Sequence, residues 1–101
     1  MSSICILRNE WLYNFGGYGS KYSVSRLPLE FSGRASRQIW KKVALKGHKS
    51  FVNYFGNGLE VIGDKMIMFG SHQEQVTFIM EEENKLNGTI SVLQKASSIN
   101  Y

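Results

Sequence analysis

The stretch Ser32-Gly33-Arg34-Ala35-Ser36-Arg37-Gln38-Ile39-Trp40-Lys41-Lys42-Val43-Ala44-Leu45-Lys46 decides how this chain is read. At about 100° per residue from Arg34, the residues Ile39, Trp40, Val43 and Ala44 share an arc of roughly 140–280°. Arg34, Arg37 and Lys41 cluster near about 0°, and Lys42 and Lys46 near roughly 80–120°. That is the pattern of an amphipathic helix laid on a core. Ser32 or Ser36 can supply the N-cap oxygen, and Gly47 can end the helix in a left-handed conformation. Lys41, Lys42 and Lys46 complement the negative end of the helix dipole. Leu45 falls on the charged arc and spoils the pattern. The spacing predicts one helix over 32–46.

Outward from this segment the chain reads as short strands between turn signals. Strands are expected over 4–8, 11–14, 22–27, 51–55, 59–62, 66–69, 75–82 and 89–94. Breaks fall at Gly16-Gly17-Tyr18-Gly19, Gly56-Asn57-Gly58, Gly63-Asp64 and Asn87-Gly88. Asn-Gly tolerates positive φ at consecutive positions, so Asn57-Gly58 and Asn87-Gly88 are expected hairpin turns, with Gly63-Asp64 a third. The C-terminal half is then a four-strand antiparallel meander. Along 75–82, Val76, Phe78 and Met80 face one way and Thr77 and Glu81 the other, while Ile79 breaks the alternation. The expected fold is α+β: a twisted, mostly antiparallel sheet with the amphipathic helix packed on a face.

The chain has 101 residues, which fits a single domain over 1–101. Hydrophobic residues at 43% and charged residues at 20% exclude disordered and fibrous classes. A lone cysteine, Cys5, excludes an intramolecular disulfide and a thiolate metal cluster. The N-terminal residues lack a basic n-region, and no apolar run approaches the roughly 18–20 residues of a membrane span. The expectation is a soluble, reduced, cytoplasmic protein, which gives the Asn87-Gly88-Thr89 glycosylation pattern little weight.

The catalytic inventory is thin. His48 and His72 are the only histidines, and neither has a second His or Cys at metal-ligand spacing. Cys5 lies in Ile4-Cys5-Ile6, where an isolated cysteine behaves as a small buried hydrophobe rather than a nucleophile. Glu60 and Asp64 with Lys65 lack the carboxylate-x-Lys spacing of a metal-dependent nuclease. In Gly16-Gly17-Tyr18-Gly19-Ser20-Lys21 the serine precedes the lysine and a strand follows, so the order of a phosphate-binding loop is wrong. The sequence therefore predicts no enzyme, no metal site and no cofactor.

Charge is distributed unevenly. Residues 1–50 carry nine basic residues against Glu10 and Glu30, and residues 51–101 carry three against six acidic ones. Such asymmetry marks interaction surfaces. In the first reading the chain is a non-enzymatic protein-binding module: a small inhibitor, immunity-type antitoxin or accessory protein that occludes a partner. Its acidic face of Glu60, Asp64, Glu74, Glu81, Glu82 and Glu83 would suit a basic toxin or nuclease. In the alternative, RNA or single-stranded nucleic acid is bound by a basic face of Arg34, Arg37, Lys41, Lys42, Lys46 and Lys49, with Trp11, Tyr13, Tyr18 or Tyr22 stacking on bases. An exposed edge strand would also allow a homodimer. No family resemblance is carried by particular residues.

Overall fold

The computed structural model describes residues 2–16, 24–29, 39–47, 58–69 and 76–97. Within them lie nine strands: β1 (Ser2–Leu7), β2 (Trp11–Gly16), β3 (Val24–Pro28), β4 (Lys41–Val43), β5 (Leu45–Lys46), β6 (Leu59–Ile62), β7 (Lys65–Phe69), β8 (Val76–Glu82) and β9 (Ile90–Ser97). The expected strand over 51–55, Asn57 of the second turn, and the N-terminal half of the expected helix lie outside the described residues.

Strict alternation builds the first sheet. Ser3, Cys5 and Leu7 of β1 are buried while Ile4 and Ile6 are exposed, as a pleat with one buried face requires. β1 pairs antiparallel with β2, β2 with β3, and β3 with β4, giving the order β1-β2-β3-β4. The β1–β2 hairpin is closed by Arg8 and Asn9, both at positive φ (53° and 57°), with the Glu10 N–H donating to the Leu7 carbonyl at 3.0 Å. Two consecutive left-handed residues match the twist of the flanking strands.

The second sheet has the order β5-β9-β8-β7-β6. The strands β6 to β9 form the antiparallel meander, and β5 adds to β9 in parallel. Gly63, at φ 62°, and Asp64 form the tight turn between β6 and β7. Asn87-Gly88 does not make a two-residue hairpin. Glu82 pairs with Ile90, so β8 and β9 are joined by a loop over 83–89. The alternation of β8 runs unbroken through Ile79, which is half-buried on the outer face; the register shift between Ile79 and Met80 comes from an extra residue on β9, Leu93.

Where it is described, the segment read as helix is strand, and no helix occurs among the described residues. The α+β expectation is thereby corrected to a mostly β fold. Two-residue spacing explains the outcome. Val43 is buried and Leu45 half-buried, while Lys42, Ala44 and Lys46 are exposed, so these five residues fit a pleat as well as a turn of helix. Leu45, out of place on the helical arc, is in place here. Strand pairing then decides between two locally acceptable conformations. Val43 lies opposite Val24 on β3, Leu45 opposite Ile90 on β9, and the Ile90 N–H donates to the Ala44 carbonyl at 2.9 Å. Ala44 is thus the corner at which one extended segment passes from the first sheet to the second. Gly47, at φ 121°, ends β5 rather than a helix.

The two sheets share one core. Cys5, Leu7, Tyr13, Phe15, Val24 and Val43 from the first pack with Met66, Met68, Val76, Phe78, Met80 and Ile90 from the second. β4 and β5 join the sheets at one side, and β1 lies beside β6 at the other. The result is a flattened, two-layer ring of strands with its apolar side chains inside. No helix of the described residues is long and apolar enough to cross a membrane.

Candidate functional site

Two inward positions carry charge. Arg26 on β3 has the parity of Val24, and Glu82 on β8 has the parity of Val76, Phe78 and Met80, so both point into the space between the sheets. Arg26 is 3% exposed and the Glu82 side chain 2%. Burying either alone costs several kcal/mol, on the order of 3–5, unless the charge is paired and its hydrogen-bonding groups are satisfied.

They are paired. Arg26 Nη1 lies 3.5 Å from Glu82 Oε2 and donates to the Tyr13 hydroxyl oxygen at 3.3 Å. The fully buried Tyr13 hydroxyl donates to Glu82 Oε2. Arg8, from the β1–β2 turn, donates from Nη2 to Glu82 Oε1 at 2.7 Å. Glu82 is therefore the hub that ties the first sheet to the second. The Arg26 guanidinium also sits 3.6 Å above the centroid of the Trp11 ring, where the π-face stabilises a desolvated cation. Burial, and then the bond to Glu82, push the Tyr13 phenol above its ordinary range.

The remaining Arg26 donors reach the 83–89 loop. Nη1 donates to the Lys85 carbonyl at 3.2 Å and Nη2 to the Leu86 carbonyl at 2.7 Å. The loop is also bonded to itself. Glu83 N–H donates to the Thr89 carbonyl at 2.7 Å, and Gly88 N–H to the Asn84 carbonyl at 2.8 Å. Asn84 Oδ1 accepts from the Leu86 N–H at 2.9 Å and the Asn87 N–H at 3.3 Å. Asn87 Oδ1 accepts from the Thr89 N–H at 2.9 Å and its hydroxyl at 2.7 Å. Asn and Asp oxygens that cap nearby amides in this way fix a turn without help from regular structure. At Gly88 the φ of 79° and the Arg26 side chain leave no room for a side chain. A Cβ there would stand 2.6 Å from Arg26 Nε. At the tip Leu86 is 92% exposed, though its own carbonyl is gripped from below.

The acidic residues singled out in the sequence do not form one face. Glu82 is the buried hub. Glu81 and Asp64 share Lys65, at 3.2 Å and 3.0 Å. Glu83 is bonded to the Ser91 hydroxyl and lies 3.2 Å from Lys46 Nζ; the two hold its carboxyl below the ordinary range. Glu60 is exposed on β6. Glu74 lies outside the described residues, as do Arg34, Arg37 and Lys49 of the basic set, the histidines, Tyr18 and Tyr22. Lys41 and Lys42 are exposed on β4, and Lys46 is drawn to Glu83. Trp11 and Tyr13, read as base-stacking residues, are engaged by the Arg26 cluster, whereas Trp40, read as core, is exposed.

Cys5 is buried, and desolvation pushes its thiol up to about 12, a poor setting for a thiolate. Among the described residues no three of His, Cys, Asp and Glu gather as metal ligands would. Sequence reasoning missed Arg26 and Leu86, and it gave Tyr13 and Glu82 other roles, base stacking and an acidic face. The signal available is parity: Arg26 shares the inward parity of Val24, and Glu82 that of Val76, Phe78 and Met80, while Leu86 is the apolar exception in Glu81–Gly88. Compared with family models, curated proteins and solved structures, the chain matches none.

Proposed function

We propose that this chain is a non-enzymatic protein-binding module that acts by occluding its partner. The contact is the end of the ring formed by the Arg8-Asn9-Glu10 turn and the 83–89 loop, with Leu86 as the anchor. The observation that carries the reading is the use of the buried Arg26–Glu82–Tyr13 cluster to hold an exposed loop in one shape. A single exposed leucine is ordinary on a protein surface. A leucine on a polar loop whose carbonyls are fixed by a buried guanidinium is not. Preorganisation lowers the ordering cost of association, and loops on rigid scaffolds are where binding residues concentrate. An inhibitory or immunity-type role is the sharper form of the proposal. Leu86 supports it better than the acidic run does, because Glu81, Glu82, Glu83 and Asp64 already have internal partners.

The test is retention of proteins from the source lysate on the immobilised full chain after nuclease treatment, with the parent and Leu86→Asp side by side. Burying one leucine contributes about 1.5–3 kcal/mol, so the charged variant should retain the stoichiometric partner at least about tenfold less well. Its melting temperature should match the parent's, since the side chain touches no core residue. Equal retention by Leu86→Asp overturns the proposal.

A further inference from the structure

Among the described residues β4 is an edge strand of the first sheet, and it presents a second surface. Residues 31–59 contain six Lys or Arg and no Asp or Glu. Within the described part of that stretch, Lys41 and Lys42 are exposed on successive pleats of β4, so they flank the edge from its two sides. Lys46 and Lys65 each have a carboxylate within ion-pair distance, whereas among the described residues Lys41 and Lys42 have none. Trp40, immediately before them, is 45% exposed, and Ile39 beside it is exposed as well. Exposing part of a tryptophan forgoes apolar burial that a core position would provide, at roughly 25 cal/mol per Å².

We infer that Trp40, Lys41 and Lys42 form a binding site for single-stranded nucleic acid, with Trp40 stacking on a base and the two lysines contacting consecutive phosphates. A π-face next to uncompensated cations, on an edge where an extended strand can lie, is the combination that sequence-tolerant single-strand binding uses. Duplex is disfavoured because its bases are already stacked. The site uses two residues of the basic set, Lys41 and Lys42, and supplies, in Trp40, the stacking residue that Trp11 and Tyr13 cannot be.

The experiment measures binding of the full chain to a fluorescent single strand of roughly 12 nucleotides, with blunt duplex and heparin as competitors. Two phosphate contacts predict a logarithmic salt slope near about −1.4, or a roughly sevenfold loss between about 50 and about 200 mM salt. Lys41→Ala with Lys42→Ala should remove that slope. Trp40→Ala should weaken binding by about 5- to 150-fold at unchanged slope, and Trp40→Tyr should restore most of it. Circular dichroism checks the fold of each variant, and Trp40→Tyr against Trp40→Ala separates lost stacking from lost packing. Single strand that competes better than duplex or heparin supports the site. Absence of binding at about 50 mM salt, equal competition by heparin, or a Trp40→Ala variant that binds like the parent overturns it.

Discussion

Arg26 occupies a position where the pleat of β3 calls for an apolar side chain, and four groups satisfy it there: Glu82, Tyr13 and the carbonyls of Lys85 and Leu86. Removing one member of such a set costs more than the set contributes, because the partner stays buried and charged. Glu82→Gln should therefore lower the unfolding free energy by about 3–5 kcal/mol, read from denaturant midpoints at constant slope. Cys5 and Tyr13 set the alkaline limit. The folded state keeps the Cys5 proton up to about 12 while the unfolded chain releases it near the ordinary 9.0, so the unfolded state binds fewer protons between those values. The contribution of this thiol to stability is thus fully present below pH 9.0 and is lost as pH rises through about 12, and the upward shift of Tyr13 acts in the same direction. Substituting Cys5 with Ser should flatten the limb between those values, and an unchanged pH profile would show that Cys5 does not set it. The inward parity of Arg26 and Glu82 is a signal in the sequence, but the sequence reading placed Glu82 on an acidic face and did not single out Arg26. Which loop the guanidinium reaches was not visible, because that depends on how the two sheets face each other.

Among the elements, β1 to β3 and β6 to β9 fall on segments that the sequence reads as strand, β4 and β5 do not, and β6 and the Gly63-Asp64 turn fall where the sequence places them. The segment 32–46 misled because helical and extended periods coincide over a few residues. Leu45 was the residue that distinguished them, and its pairing with Ile90 lies far along the chain. The Asn87-Gly88 turn also differs from its local signal. Asn87 and Asn84 use their side chains to close a longer loop, and Gly88 is required for clearance as well as for φ. Gly88→Ala should hence do more than strain the backbone by about 1 kcal/mol. It should displace the Arg26 side chain and destabilise the fold by roughly 2 kcal/mol or more. A thermal melt of the variant that matched the parent would mean the guanidinium is not held against Gly88.

For the whole molecule, one fold carries two kinds of surface. The strand ring buries its apolar side chains between two sheets, and its internal polar cluster is concentrated at the end that carries Leu86. The β4 edge, by contrast, keeps its lysines unpaired among the described residues. Composition excluded many functions, but it could not place charge on a face. Four of the six sequence-nominated acidic residues, Asp64, Glu81, Glu82 and Glu83, are tied to Arg26, Arg8, Lys46 or Lys65. The buried cluster holds the 83–89 loop in a single shape through the Arg26 bonds to the Lys85 and Leu86 carbonyls. The most direct measurement is residue-resolved amide hydrogen exchange of Glu83, Leu86, Gly88 and Thr89 in the parent and in Arg26→Lys, which keeps the charge but cannot grip both carbonyls. The account predicts amides in the parent protected nearly as well as those of β8, and selective loss of protection in the variant while β8 stays slow. Loop amides that exchange at free-peptide rates in the parent would contradict it.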